Sequence, residues 1–244
     1  MPNTVKPAFL VAAHVTKVAH VLAFTVFVLV LAWVLHFRGG AARLHSDDPN
    51  LIFNVHPLVM CMGFILVIGE GIMAYKTIPA RKETQKLVHL MLQLVALCLG
   101  ILGIYAAFKY HSANTMPDML SLHSWLGMCT ICLFGLQVLL PSSIATHLSL
   151  SLKSLVLVCL QWLFGFVNFW FLKASEPTRI LLLPLHVSAG LAIFLLTVCT
   201  AETGFVQIDA APGAESRLIN FTGLFILLFA VAVSISVALP RVSI

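Results

Sequence analysis

Four of the ten histidines in the sequence stand at comparable places in four separate apolar stretches. They are His56, His89, His123 and His186, and each falls within the first turns of its stretch. An ionisable side chain inside a bilayer is costly and tends to mark function. Neutral imidazole is also a common ligand of iron. The four histidines therefore predict a functional site within a membrane, with iron as the candidate metal.

The elements that hold these histidines are predicted to be membrane-spanning helices. Of the 244 residues, 60% are hydrophobic and 9% are charged, whereas a soluble domain carries about 25% charged residues. A span needs roughly 20 apolar residues, and six runs are clear: 8–37, 56–75, 87–108, 119–140, 180–203 and 218–239. Each must be helical, because a lone strand in lipid leaves its backbone groups unsatisfied. The sequence therefore predicts an all-α membrane protein with six transmembrane helices, although a seventh apolar run, 152–172, follows a Ser-rich stretch.

The charged residues predict how these helices are oriented. The densest basic cluster is the loop YKTIPARKETQK, residues 75–86, and the positive-inside rule places it in the cytosol. The second and fourth spans, with His56 and His123, then start on the non-cytosolic side. The third and fifth spans, with His89 and His186, start on the cytosolic side. The net charge of +5 is thus interpreted as a topology signal, and no nucleic-acid-binding module accompanies it.

Alternating topology predicts two histidine pairs, His56 with His123 near one face and His89 with His186 near the other. Each pair is suited to hold one b-type haem by bis-imidazole ligation inside a four-helix bundle of the second to fifth spans. Two haems stacked across a membrane would form an electron path. The alternative is that the four histidines are unrelated and have only hydrogen-bonding roles.

The other histidines and the cysteines carry weaker signals. Gln93 lies four residues after His89 on the same helix face, where it can reach a haem edge but cannot replace an imidazole. All six cysteines lie inside apolar runs, which argues against a disulfide framework. Cys129 and Cys132 have a CxxC spacing that we interpret as core packing. Five histidines have no matching partner and are interpreted as interfacial or loop residues: His14, His20, His36, His45 and His147.

Several stretches of the sequence resemble the cytochrome b561 family. They are VLHFRGG, FNVHPLVMCMGF, GEGIMAYKT, LVHLMLQLVAL, GIYAAFKYH, LSLHSWLGM and LLLPLHVSAGL. They occur in order over most of the chain, and MAYKT and LINFTG are most similar to plant-type members. The resemblance implies a single transmembrane domain over residues 1–244 with two haem b groups. Their axial iron ligands fall on His56, His89, His123 and His186.

The resemblance also implies a transmembrane ascorbate-dependent oxidoreductase. Ascorbate donates electrons on the cytosolic side, and monodehydroascorbate or a ferric chelate accepts them on the other side. The family binds ascorbate with basic side chains, which Lys82, Lys86 and Arg179 match, and an anionic donor would independently require such charges near the inner pair. His111 matches a family histidine near the outer substrate site. Plant members suggest the vacuolar membrane, with other endomembranes or the plasma membrane as alternatives, and homodimers are common in the family.

Two other functions stay open from the residues alone. An intramembrane transporter or proton relay would normally combine carboxylates with the histidines. Only Glu70 and Glu202 lie in or near the spans, and we expect both near cytosolic ends. The second alternative is a haem-binding subunit without turnover. The basic loop that faces the inner pair favours a donor site over both.

The stretch 138–161 is predicted to be foreign to the functional fold, as an aberrant insertion within the fourth span. Successive paired histidines are 33, 34 and 63 residues apart, and a second span in the last interval would move His186 to the wrong face. Plant-type family members run GxQW without a break, whereas 24 residues separate Gln137 from Trp162 here. Valine codons begin with GT and a glutamine codon can end in AG, so the stretch matches an intron translated in frame. The alternative is a genuine insertion.

Overall fold

The computed structural model describes residues 5–41, 46–139 and 176–239, and every regular element within these ranges is a helix. Helix α1 spans Val5–Ala32 and continues into a π-helical turn, Trp33–Phe37. Helix α2 spans Pro49–Thr77 and contains a π-helical segment, Val59–Leu66. The remaining helices are α3 (Lys82–Ala113), α4 (Leu122–Leu139), α5 (Glu176–Val206) and α6 (Ala214–Ala238).

The predicted all-helical membrane fold is confirmed. Five of these helices are long and apolar enough to cross a membrane, and α4 is a shorter apolar helix. Several helices extend beyond the predicted apolar runs, since hydropathy marks only the part of a helix that lies in hydrocarbon. Helix α2 begins seven residues early, at Pro49, because proline suits the first helical position and the Asp48 carboxylate accepts the N–H of Asn50 at 2.9 Å.

Helices α2, α3, α4 and α5 form a bundle in which each helix contacts the next and α5 closes back onto α2. Helices α1 and α6 pack against each other beside this bundle. Phe64 of α2 meets Phe134 of α4 edge to face, with ring centroids 5.1 Å apart. Phe194 of α5 meets Phe229 of α6 in the same way at 6.1 Å. These buried rings fix the lateral positions of the helices that carry the histidines.

Polar contacts tie the two ends of the helix assembly. We call the end that carries the loop between α2 and α3 the basic end, and the opposite end the far end. At the far end, Arg38 Nε lies 2.7 Å from Oε1 of Glu215, which also accepts the indole N–H of Trp33 at 2.9 Å. At the basic end, the Lys76 ammonium donates to two backbone carbonyl groups near the end of α6. Helix α6 is thereby tied to the end of α1 at the far end and to α2 at the basic end.

The chain leaves α4 and enters α5 at the same, basic end. Gln137, near the end of α4, donates from its side-chain amide to the backbone carbonyl of His186 in α5, at 2.8 Å. Of the predicted insertion 138–161, the structure describes Val138, which is buried, and Leu139, and both continue α4. The rest of that segment lies outside the described residues, as do the seventh apolar run 152–172, His45, His147 and Trp162.

Candidate haem-binding site

The first histidine pair lies at the far end of the bundle. His56 of α2 and His123 of α4 have ring centroids 5.9 Å apart, and their planes are nearly perpendicular, at 86°. His56 Nδ1 is 2.9 Å from the carbonyl oxygen of Gly103 in α3, and His123 Nδ1 is 2.8 Å from that of Thr200 in α5. Because a carbonyl can only accept, each Nδ1 carries the proton. The Nε2 atoms of both rings are left with a lone pair that suits a metal.

The second pair lies at the basic end. His89 of α3 and His186 of α5 have ring centroids 6.1 Å apart, with an angle of 69° between the rings. His89 Nδ1 is 2.8 Å from the carbonyl oxygen of Gly71 in α2, so it repeats the arrangement at the far end. His186 differs, because its Nδ1 faces the side-chain amide of Gln137 at 3.4 Å.

Both separations fit two axial ligands of one haem. Metal–imidazole bonds of about 2 Å, and about 1.2 Å from each nitrogen to its ring centre, place the two ring centres about 6.4 Å apart. Within the described part of the chain, no three or more His, Cys, Asp or Glu side chains form a cluster that could hold a metal. An axial haem site needs only two side chains, since the porphyrin supplies the other ligands. The residues present at each pair therefore fit a b-type haem.

Glycines allow the helices to approach closely beside both pairs. A Cβ atom added at Gly204 of α5 would lie 2.8 Å from Cε1 of His123, too close for a real side chain. Gly71 and Gly103 supply carbonyl groups to the paired histidines, and a Cβ atom at Gly103 would lie 2.7 Å from the sulfur of Met60. The sequence interpretation missed these glycines. Their spacing in the sequence does not indicate these contacts, because each glycine contacts a residue of another helix.

The predicted donor-site residues lie at the basic end. Lys82 and Lys86 are exposed in the first two turns of α3. They precede His89 by seven and three residues, which places all three on one face of the helix. Arg179 lies in the first turn of α5, seven residues before His186, and its side chain is outside the described part. The convergence of these three basic residues on ascorbate stays a prediction.

The predicted acceptor-site residue, His111, lies in the last turn of α3 at the far end. Its Nδ1 is 2.8 Å from Oδ1 of Asp118 in the loop that leads to α4. The ring of Phe53 stands between the far-end pair and this region, with its centroid 5.9 Å from that of His56 and 4.7 Å from that of Tyr110. The sequence interpretation did not include Asp118, Phe53 or Tyr110.

The interpretations of one histidine and one glutamate differ from the structure. His20 is not an unpartnered interfacial residue, because it lies within α1 and its Nδ1 is 2.9 Å from Oε1 of Glu70 in α2. Glu202 is not near the basic end. It follows Thr200, the carbonyl partner of His123, by two residues in α5. Helix α5 runs from the basic end to the far end, so of these two glutamates Glu70 alone lies in the basic half of the bundle.

Gln93 and the CxxC cysteines have surroundings that the sequence did not indicate. Gln93 is buried and its Nε2 lies 3.4 Å from the carbonyl oxygen of Ile68, so the side chain is directed toward α2. Its Oε1 is buried with no hydrogen-bond partner. Cys129 and Cys132 are free thiols on an exposed face of α4, which contradicts the interpretation as core packing. The described cysteines form no disulfide with one another.

A bundle of apolar helices with a facing histidine pair at each end defines a membrane protein of the b-type cytochrome class. The family model of eukaryotic cytochrome b561 matches residues 55–146 and 140–211. The chain belongs to this family, which confirms the resemblance read from the sequence and implies binding of haem b.

Three related proteins are similar to this chain over most of its length. The chain is 41% identical over 239 residues to a probable ascorbate-specific transmembrane electron transporter 1 from Oryza sativa subsp. japonica, covering 94% of this chain and 91% of the relative. It is 38% identical over 227 residues to transmembrane ascorbate ferrireductase 1 from Arabidopsis thaliana, covering 89% and 84%. It is 33% identical over 220 residues to a plasma membrane ascorbate-dependent reductase from Xenopus laevis, covering 85% and 68%.

Proposed function

We propose that this protein is a transmembrane oxidoreductase that moves electrons from cytosolic ascorbate to monodehydroascorbate or a ferric chelate on the other side. The observation that carries the proposal is the pairing of four histidines at the two ends of one bundle, with ring separations of 5.9 and 6.1 Å. The names of the rice and Arabidopsis relatives support ascorbate as the donor, and the second supports an iron acceptor.

In this proposal His56 and His123 would hold one haem b, and His89 and His186 would hold a second. When bound, each haem accepts and releases single electrons at its iron. The protein orients the imidazoles, because three of them donate from Nδ1 to backbone carbonyl groups of neighbouring helices. Such hydrogen bonds fix the tautomer and the direction of the ring, and they raise the basicity of Nε2.

The basic end is proposed to bind the donor. Ascorbate is an anion at neutral pH, and a cluster of positive side chains raises the local concentration of an anion. Lys82 and Lys86 share the face of α3 that carries His89, and Arg179 begins the helix that carries His186. The positive-inside rule places this end in the cytosol. We expect the vacuolar membrane to be the location, from the similarity to plant-type members.

The far end is proposed to bind the acceptor at His111. This side chain is 28% exposed, so a soluble molecule can reach it. His111 belongs to α3, the helix whose other end carries Lys82 and Lys86. One continuous helix therefore connects the proposed donor and acceptor sites and passes beside both histidine pairs.

The proposal is tested by a reduced-minus-oxidised absorption spectrum of the purified protein after addition of ascorbate. We expect the bands of low-spin b haem. Absence of haem bands would instead favour an intramembrane transporter or proton relay. Haem bands that do not respond to ascorbate would indicate a haem-binding subunit without turnover. Vesicles that contain the protein and trapped ascorbate should then reduce external ferricyanide, which shows that the electrons cross the membrane.

A further inference from the structure

We propose that Asp118 is a positioning residue that holds His111 as the proton donor to monodehydroascorbate. This inference rests on the proposed function, in which His111 lies at the acceptor site. The assignment starts from a short contact at the far end, where His111 Nδ1 and Asp118 Oδ1 are 2.8 Å apart. A carboxylate only accepts, so Nδ1 carries a proton and Nε2 is the nitrogen that exchanges a proton with a bound molecule. Both side chains are partly exposed, at 28% and 47%.

The loop that presents Asp118 is held in an unusual backbone conformation. Thr115 and Met119 have positive φ angles of 53° and 59°, which are uncommon for residues other than glycine and are outliers for a β-branched residue. The start of the loop is fixed to α3, because Met116 N–H donates to the carbonyl of His111 at 2.9 Å. Strained residues persist only where the surrounding structure determines them, and they concentrate at functional sites. This loop therefore places the Asp118 carboxylate on His111 at a cost in conformational energy.

A series of aromatic rings links this pair to the far-end histidines. Phe53 stacks on His56 with ring centroids 5.9 Å apart, and it contacts Tyr110 at 4.7 Å. Tyr110 lies 6.1 Å from the ring of His111. His56 is also close enough to His111 for an electrostatic interaction. Among the residues that the structure describes, the titratable groups that face His111 are thus Asp118 from the loop, Tyr110 on its own helix and His56 from α2.

The chemistry of the two candidate acceptors explains why a proton donor is needed for only one of them. Monodehydroascorbate is a radical anion that takes up one electron and one proton to become the ascorbate monoanion. The electron arrives by the proposed transmembrane transfer. The proton leaves Nε2 of the His111 imidazolium, so an N–H bond breaks and an O–H bond of ascorbate forms. The neutral ring that results regains a proton from water. Asp118 accepts the hydrogen bond from Nδ1, which keeps Nδ1 protonated and leaves Nε2 as the nitrogen that faces the acceptor. A ferric chelate takes up an electron alone.

The experiment compares two external acceptors in vesicles that contain the reconstituted protein and trapped ascorbate. Asp118→Asn removes the charge at nearly constant size, and Asp118→Glu keeps the charge. Asp209→Asn is the matched control, because Asp209 is an exposed carboxylate at the same end of the molecule. We expect Asp118→Asn to slow reduction of monodehydroascorbate by about tenfold or more, because it weakens the positioning of His111 without removing the proton donor, whose full contribution would be about 100-fold or more. Ferricyanide reduction should change less than about twofold in every variant, and the glutamate variant should recover most of the lost rate.

A second measurement does not depend on electron transfer. Nitrogen NMR of histidine-labelled protein reports which ring nitrogen of His111 is protonated, and the His111 signal is identified by its loss in His111→Gln. We expect a protonated, hydrogen-bonded Nδ1 in the natural protein and a changed tautomer in Asp118→Asn.

An unchanged His111 signal would overturn the inference, and so would an unchanged rate with monodehydroascorbate. Equal slowing with both acceptors would also overturn it, since that pattern indicates structural damage rather than lost proton transfer. If the natural protein reduced neither acceptor, the proposed function would fail. The NMR result would still decide whether Asp118 positions the His111 ring.

Discussion

At the scale of single residues, the paired histidines differ in what sets the direction of their rings. His56, His89 and His123 each have Nδ1 within 2.9 Å of a backbone carbonyl oxygen from another helix. No side-chain substitution removes such a carbonyl, so these three orientations depend on helix packing alone. His186 faces the side chain of Gln137 instead. It is therefore the proposed ligand whose orientation a single side-chain change can alter directly.

We predict that removal of either member of a pair eliminates the same haem. His56→Ala and His123→Ala should each lose the far-end haem and keep the other, because one imidazole alone leaves an axial position of the iron open. His36→Ala is the control, since His36 lies at the end of α1, where its ring contacts Phe37 at 4.8 Å. Haem content by pyridine haemochrome and the low-spin signals in electron paramagnetic resonance are the measurements. Loss of different haems in the two alanine variants would refute the pairing.

A second prediction at the residue scale concerns the lysines of α3. Lys82→Ala with Lys86→Ala should slow haem reduction by ascorbate about tenfold at low salt, the lower end of the range for electrostatic steering. Haem content should not change. Lys109→Ala is the matched control, because Lys109 lies near the opposite end of the same helix. Added salt should slow the natural protein and have less effect on the double variant, since exposed charges are screened within about 10 Å at 0.1 M. Equal stopped-flow reduction rates in the natural protein and the double variant would count against the proposed donor site.

At the scale of elements, the close approach of α4 and α5 decides the geometry of the far-end pair. His123 lies beside Gly204 of α5 and its Nδ1 is 2.8 Å from the carbonyl oxygen of Thr200 one turn earlier. A second glycine of the same interface, Gly127, has more room. A Cβ atom there would lie 3.4 Å from Cγ2 of Thr200, an ordinary contact. Substitutions at these two glycines therefore distinguish a general effect on the packing of α4 against α5 from a specific effect on the His123 ring.

We therefore predict that Gly204→Ala disturbs the far-end site and that Gly127→Ala does not. The new methyl group would lie 2.8 Å from Cε1 and 3.0 Å from Nδ1 of His123, so the ring or the helix must move. Overpacking of this kind costs about 1–3 kcal/mol, which should appear as a lower thermal unfolding temperature. The electron paramagnetic resonance signal of the far-end haem should shift, while that of the basic-end haem should stay constant. Equal behaviour of the two variants would contradict this account of the interface.

The helix ends show where sequence reasoning reached its limit at this scale. Apolar runs located the helices, because a span has to bury its backbone hydrogen bonds whatever its neighbours are. The starts of α2 and α3 extend into polar residues such as Asn50 and Lys82, which hydropathy does not mark. The π-helical segment Val59–Leu66 in α2 left no pattern either. Its position depends on how α2 packs against α3.

At the scale of the whole molecule, the sorting of the histidines could be predicted because membrane topology converts sequence order into position. Successive spans alternate in direction, so the order of the four histidines along the chain predicts which end of the bundle each one occupies. The contact of His20 with Glu70 and that of His111 with Asp118 had no comparable rule. Each depends on the rotation of a helix about its axis or on a loop conformation. The proposal that 138–161 is an insertion rests on the same rule, since it is argued from the direction of the spans and the spacing of the paired histidines.

Two observations support the proposal that residues 138–161 are foreign to the working fold. The family model matches the chain in two segments that meet at residues 140–146, inside the proposed insertion. The chain also leaves α4 and enters α5 at the same end, where Gln137 contacts His186. An odd number of additional spans between these helices would separate His186 from His89, and these two rings lie 6.1 Å apart.

We predict that a variant joining Gln137 directly to Trp162 binds both haems and unfolds at a temperature no lower than that of the full chain. The new junction joins residues 122–137 directly to the apolar run that begins at Trp162, so the two parts form one continuous span of roughly 20 residues or more. A deletion of 150–173 shortens the chain equally but removes Trp162, and it should lower both haem content and stability. Sequencing of the mature transcript is the independent measurement, and we expect the codons of 138–161 to be absent. A transcript that retains them, together with loss of haem in the joined variant, would show that the segment is a genuine part of the protein.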